Sequence, residues 1–447
     1  MATTTASLEA MRPTPRARGS GTVLLILATL IFVLFAWPLD AGLTARFGLN
    51  LSIGGVTPQV QLPDLVLPAR LTITLFAVLA ALLGGWQLLR GFRQASLALG
   101  VVILLFVLAF LTWATAGKSL NLTGMLQSSL LRAIPIVLGA LSGILCERSG
   151  VINIAIEGMM LSGAFIGAFI GSAAHNSWVG MLAAILLGAL LAAVHAVLSI
   201  KYKVDQIISG TVINIFAAGA TSFLSSRILQ EHQELNNPAI FPPIPIPGLA
   251  QVPLIGPVFF ANTIIVYMTL ALIVIIHVML FYTRWGLRTR AVGEHPRAAD
   301  TLGINVFRVR YINVILGGMV AGLGGAYFTL GSVGPFDELM TAGRGFIGLA
   351  AMIFGKWTPF GAFGSSLIFG FADSLQTKLQ ILGTPIPSEF LLMAPYLATI
   401  LAVAGLVGRA VPPAADGQPY EREGEVRPRP RRKAATADPD PQPEQNS

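Results

Sequence analysis

Long apolar runs alternate with short polar stretches along almost the whole chain. Runs of membrane-spanning length cover roughly residues 21–38, 71–89, 97–115, 129–145, 151–173, 178–200, 205–226, 261–282, 311–330, 343–355, 360–377 and 390–408. The pattern predicts about twelve helices, the shorter ones being candidates for re-entrant or broken segments. The polar stretches are uneven in charge. With alternating spans, Arg90/Arg93, Glu147/Arg148, Lys201/Lys203, the stretch 283–310, Lys356 and Arg409 all fall on one side. The linker 39–70 and the loop 227–260, which has acids and prolines and almost no cations, fall on the other. Cations collect on the cytoplasmic side of membrane proteins. The count therefore predicts N- and C-termini in the cytoplasm.

Composition agrees with this pattern. Of the 447 residues, 54% are hydrophobic and 11% charged, against roughly 25% charged in soluble domains. The deficit predicts an all-α fold, a polytopic transmembrane helical bundle. The 47 glycines suit it, because small residues let membrane helices approach closely. A single cysteine, Cys146, excludes an internal disulfide framework. The net charge of +8 is spread over short loops and tails, where it sets orientation and does not signal nucleic acid. Arg12, Arg16 and Arg18 precede the first run. No clean A-x-A site follows, so that run is expected to be an uncleaved helix. From residue 409 the chain is rich in Pro, Ala and charge and is expected to be a disordered, solvated tail. Its basic cluster at 427–433 would attract anionic membrane lipid.

The stretch 283–310 is a basic island between two apolar runs. It holds Arg284, Arg288, Arg290, Arg297, Arg308 and Arg310 against Glu294 and Asp300. Within it, Pro296 suits a first helical position and Gly303 a left-handed terminator. Pro296, Arg297, Ala298, Ala299, Asp300, Thr301 and Leu302 would make about two turns. Ala299 and Leu302 would share an apolar face, and Arg297 and Asp300 would pair. So short a helix is unstable alone and is expected to lie on a partner surface. By composition alone the island reads first as an ordinary basic loop that fixes topology.

The chemistry-bearing residues exclude several functions. Gly117-Lys118-Ser119 has Thr112 where a phosphate loop needs glycine, so this chain is not expected to bind ATP that way. His175, His195, His232, His277 and His295 have no ligand spacing with one another or with Cys146. No metal, cofactor or catalytic group is expected. Asn153 and Glu157 lie four apart inside an apolar run, where polar groups are costly and face a cavity or a partner. With Asn214 they are candidates for a translocation path; a hydrogen bond locking two helices accounts for them equally well. Gly163, Gly167 and Gly171 follow in G-x-x-x-G steps. Gly317, Gly318, Gly322, Gly324 and Gly325 form a second glycine-rich set. The glycine-interrupted stretches 149–168 and 342–363 hint at an internal repeat about a midplane site. An ion-coupled secondary transporter of small polar solutes is the alternative; it should carry several intramembrane carboxylates. Only Glu157 and Asp373 qualify, and Asp373 has Gln376 and Lys378 near it. A membrane-embedded enzyme lacks any nucleophile or acid–base constellation.

Two stretches carry a resemblance. ERSGVINIAIEGMM at 147–160 and AVGEHPRAADTLGINV at 291–306 resemble the two signatures of one family, the membrane subunits of ABC importers for branched-chain amino acids, ribose and nucleosides. The chain is most similar to the nucleoside/simple-sugar branch. The resemblance covers about residues 125–408 and implies a core of about ten helices. Residues 1–124, with about three spans, and the tail 409–447 lie beyond it. It further implies that 296–303 is a coupling helix seated in a cytoplasmic ATP-binding subunit. The implied partners are two ATP-binding subunits, a second related permease subunit, with a second copy of this chain as the alternative, and an extracytoplasmic substrate-binding protein.

Overall fold

The computed structural model describes residues 15–55, 60–92, 94–384, 387, 390, 393 and 410–422. Apart from 390 and 393, the span expected at 390–408 lies outside the described residues, as does the basic cluster at 427–433. Among the described residues, nine helices are long and apolar enough to cross a membrane. The chain is a multi-pass helical membrane protein.

The first three spans are α1 (Pro15–Leu30, prolonged by a wider turn Ile31–Ala36), α2 (Ala69–Leu89) and α3 (Ala95–Ala114). They bury Ile31, Phe35, Ile73, Ala80 and Val102 among themselves. A small sheet joins them to the rest: β1 (Thr44–Gly48) lies between antiparallel β2 (Leu65–Pro68) and parallel β3 (Ser119–Asn121). Thus part of the linker expected between the first two spans is strand. Phe47, Leu111 and Leu120 then pack with Met125 and Leu375 of the larger bundle.

That bundle is built around α4 (Leu122–Glu147), α5 (Ile156–Ala173) and α12 (Val306–Ala326, prolonged by Tyr327–Val333). Between them run α6 (Ser177–Ala196), α7 (Gln206–Leu224), the short α8 (Ile255–Phe259), α9 (Ile264–Tyr282), α10 (Arg284–Glu294) and α11 (Pro296–Thr301); α13 (Arg344–Phe354) and α14 (Pro359–Ile381) follow. The α4, α5 and α12 spans are 89%, 72% and 78% buried, whereas the α6, α7 and α9 spans are 33%, 28% and 33% buried. The first group is therefore the centre and the second the lipid- or partner-facing ring.

The glycine sets explain how the centre closes. A Cβ on Gly325 of α12 would lie 2.1 Å from the Met160 carbonyl oxygen of α5, and one on Gly188 of α6 would lie 2.3 Å from that of Gly318. Backbones touch at these crossings. Without a hydrophobic drive between helices in lipid, such dispersion contacts hold a bundle together.

Candidate coupling and translocation site

Between α4 and α5 the chain leaves the helix over 148–155, inside the protein. Buried backbone there needs partners, and neighbouring helices supply them. The Gln206 side chain accepts from the Ile152 N–H at 2.7 Å. Asn214 of α7 accepts from the Gly158 N–H at 2.7 Å and donates to the Ile154 carbonyl at 2.8 Å. Asn153 is fully buried and accepts from the Ala155 N–H at 3.1 Å. His195 is buried 2.9 Å from the Ile152 carbonyl and 3.1 Å from the Ser209 hydroxyl. A carbonyl only accepts, so Nε2 carries the proton, and neutral Nδ1 accepts from Ser209.

Glu157 points away from this stitching. Its carboxylate accepts from the Thr341 hydroxyl at 2.6 Å and from the N–H groups of Gly343 at 2.8 Å and Gly345 at 2.6 Å. It therefore caps α13, where the first-turn donors have no helical partner. A Cβ on Gly345 would sit 2.7 Å from that carboxylate oxygen. The two glycine-interrupted stretches thus meet directly. The structure brings Asn153, Glu157 and Asn214 to one broken-helix region, with all three bonded within the protein.

Sequence reading missed a second polar cluster. Asp373 of α14 pairs with Arg132 of α4 at 2.9 Å and with Arg344 of α13 at 3.3 Å; each side chain is a quarter to a third exposed. Arg132 also donates to the Thr377 hydroxyl at 3.1 Å. Gln376 and Lys378, the neighbours proposed from sequence, are not the charge partners. A carboxylate in an apolar run demands a cation, but nothing local says which distant arginine answers.

At the membrane face where α4 ends, the 283–310 island folds into two short helices. Thr283 caps α10 by accepting from the Gly286 N–H at 3.2 Å. Pro296 opens α11, and Gly303, at φ +79°, follows its end. The Gly303 N–H donates to the Asp300 carbonyl at 2.9 Å and the Ile304 N–H to the Ala299 carbonyl at 3.1 Å. This paired closure is the Schellman arrangement, which requires the left-handed glycine. Asn305 then caps α12 through the Arg308 N–H at 2.9 Å.

Two details differ from the sequence expectation. Ala299 is buried against Val292, Val306 and Tyr420, while Leu302 is 81% exposed. They share no docking face, because the helix ends at Thr301 and Leu302 already belongs to the turn. The outward residues are Arg297, Ala298, Thr301, Leu302 and Gly303, with Pro296 and Asp300 half-buried. Asp300 is paired with Arg422, at 3.4 Å, instead of Arg297.

The two signature stretches touch here. A Cβ on Gly293 would lie 2.3 Å from the Arg148 carbonyl oxygen. Arg148 donates to the Trp357 carbonyl at 3.0 Å, and the Trp357 indole donates to Glu147 at 2.6 Å. The short helix is therefore continuous, through packed backbone, with the broken segment between α4 and α5.

The chain segment 410–422 completes this face. Composition led us to expect a solvated tail from 409, yet Ala415 and Tyr420 are buried. The Ala415 N–H donates to the Gly293 carbonyl at 2.9 Å and the Ala414 N–H to Glu294 at 3.1 Å. The buried Arg310 donates to the Gln418 carbonyl at 2.9 Å. Tyr420 packs on Phe307 with ring centres 5.3 Å apart, and Glu421 pairs with Lys203 at 2.8 Å. Asp416 lies beside Glu147, and burial pushes its carboxyl up from the ordinary 3.8 to about 6.

An apolar helical ring, a broken helix sealed by side chains and a short capped helix on one face define a membrane transport subunit. The chain belongs to the family described as the permease component of the branched-chain amino acid transport system, which matches residues 124–407. It is 45% identical over 307 residues to the guanosine ABC transporter permease protein NupQ of Bacillus subtilis, covering 66% of this chain and 95% of that one. It is 39% identical to the nucleoside ABC transporter permease protein NupC of Lactococcus lactis, covering 65% and 94%. It is 34% identical to the putative glucose ABC transporter permease protein TsgC13 of Haloferax volcanii, covering 67% and 98%. No solved structure gives a significant match.

Proposed function

We propose that this chain is the membrane-spanning subunit of an ATP-driven importer of nucleosides, with simple sugars as the wider substrate class. The observation that carries this reading is the 45% identity across 95% of a permease named for guanosine. The energy source is a pair of separate ATP-binding subunits on the cytoplasmic side, seated against α11. A second related permease subunit and an extracytoplasmic substrate-binding protein complete the assembly. Substrate passes beside the broken-helix region, and the partly exposed Arg132, Asp373 and Arg344 lie close enough to the central helices to border it. Asn153, Glu157 and Asn214 act there as the frame that shapes the path.

The coupling role rests on the continuity from α11 through Gly293 to Arg148. A displacement of the short helix is transmitted to the broken segment because the backbones are in contact. Leu302→Asp tests it, since Leu302 is 81% exposed. The variant is expected to fold normally but to lose co-purification with the ATP-binding subunit and substrate-stimulated ATP hydrolysis. Ala299→Asp would instead disrupt the buried cluster of Val292 and Val306, so it reports on folding. For the transport assignment, uptake of labelled guanosine into proteoliposomes holding all subunits should require ATP. Uptake abolished by an ionophore and indifferent to ATP would establish the ion-coupled alternative.

A further inference from the structure

The segment 410–422 lies outside the family match, which stops at 407. It is nonetheless fastened at every few residues: Ala414 and Ala415 to the end of α10, Gln418 to Arg310, Tyr420 to Phe307, Glu421 to Lys203 and Arg422 to Asp300 of α11 itself. These anchors come from the α6–α7 turn, α10, α11 and α12. With them satisfied, the strap leaves Ala414, Gln418 and Pro419 exposed on one side. Across from that side stand His295, Arg297 and Ala298, and a groove of about 870 Å³ runs between the two.

We propose that the strap 410–422 is the second wall of the docking site for the ATP-binding subunit. The inference rests on the coupling role proposed for α11. Size is the first argument. A stable interface buries about 800 Å² on each partner. The six residues of α11 span only about 9 Å, too little to supply that area alone. The strap is the surface continuous with it. Charge is the second argument. Arg297 lines the groove together with Glu294 and Glu421, so the partner face that fits it is polar and carries both signs of charge. Arg422 bonded to Asp300 ties both walls together, so the groove moves as one piece when the helix is displaced.

Cysteine labelling tests this on the assembled complex. Cys146, the one native cysteine, is fully buried, so Gln418→Cys, Ala414→Cys and Leu302→Cys each create a single accessible thiol. Labelling by a maleimide is timed with and without the ATP-binding subunit. With that subunit at about ten times its Kd, only the free fraction reacts, and the rate at an interface position falls roughly tenfold. Slowing at Gln418→Cys and Ala414→Cys, alongside Leu302→Cys, supports the two-walled site. Slowing at Leu302→Cys alone overturns the strap proposal and leaves the coupling helix standing. No slowing at any of the three overturns both.

Discussion

At the scale of single residues, the intramembrane polar groups Asn153, Glu157 and Asn214 all hold hydrogen bonds within the protein. Glu157 shows the reasoning. A carboxylate offers two oxygens, and here they take three donors from Thr341, Gly343 and Gly345. Glu157→Gln keeps one oxygen and turns an amide N–H₂ toward donors, so at least one first-turn N–H of α13 loses its acceptor. The expected cost is about 2 kcal/mol, read as a lower thermal midpoint of the detergent-solubilised protein. An unchanged midpoint with altered uptake would make Glu157 a path residue after all. Asp416 gives a pH dependence with a definite sign. Its docked carboxyl is raised to about 6 by burial, with Glu147 and Arg310 facing it, while the undocked strap titrates near the ordinary 3.8. The docked form therefore holds the extra proton. Strap docking strengthens as pH falls from about 6 towards 3.8. The protection factor of the Ala415 amide, bonded to the Gly293 carbonyl, should be higher at pH 5 than at pH 7.5. Asp416→Asn should flatten the difference.

At the scale of elements, close helix crossings decide the architecture. Gly325 has room for hydrogen only, because a Cβ would stand 2.1 Å from the Met160 carbonyl oxygen and 2.6 Å from the Ala164 nitrogen. Both are backbone atoms and cannot rotate aside. Gly325→Val must push α5 from α12, and overpacking of this kind costs about 1–3 kcal/mol or more. The expected readout is a loss of monodisperse protein on size-exclusion chromatography, with Gly364→Val, a helical site with open space, as the tolerated control. The local signals that define α11 were readable in advance: proline first, glycine after, small residues between. Which of its faces is outward was not readable. Helical periodicity put Ala299 and Leu302 together, but termination at Thr301 swung Leu302 outward while Tyr420, far along the chain, covered Ala299.

At the scale of the whole molecule, the family match runs from the start of α4 to residue 407. The helices α1–α3 pack largely on each other and touch the main bundle through Phe47, Leu111 and Leu120 against Met125 and Leu375 and through Ala114 against Leu379. Every residue of the docking groove comes from outside them. Removing residues 1–118 is therefore expected to leave association with the ATP-binding subunit within about twofold while lowering thermal stability, since a few apolar contacts are exposed. A pull-down of the shortened chain checks this; complete loss of association would show that the extension belongs to the coupling machinery.

Hydrophobic run lengths alone determined that the chain is a multi-pass helical bundle, because a bilayer admits few other solutions for such runs. The glycine spacing announced close crossings, and the two signature stretches announced the family. Those properties are local, so the sequence carries them openly. Tertiary structure alone decided which arginines answer Asp373, that Glu157 caps a helix beginning at Arg344, and that Tyr420 seals α11. Each of these joins residues far apart in the chain, and the pairing depends on where helices cross, which is set by packing of the whole bundle and by no short-range rule.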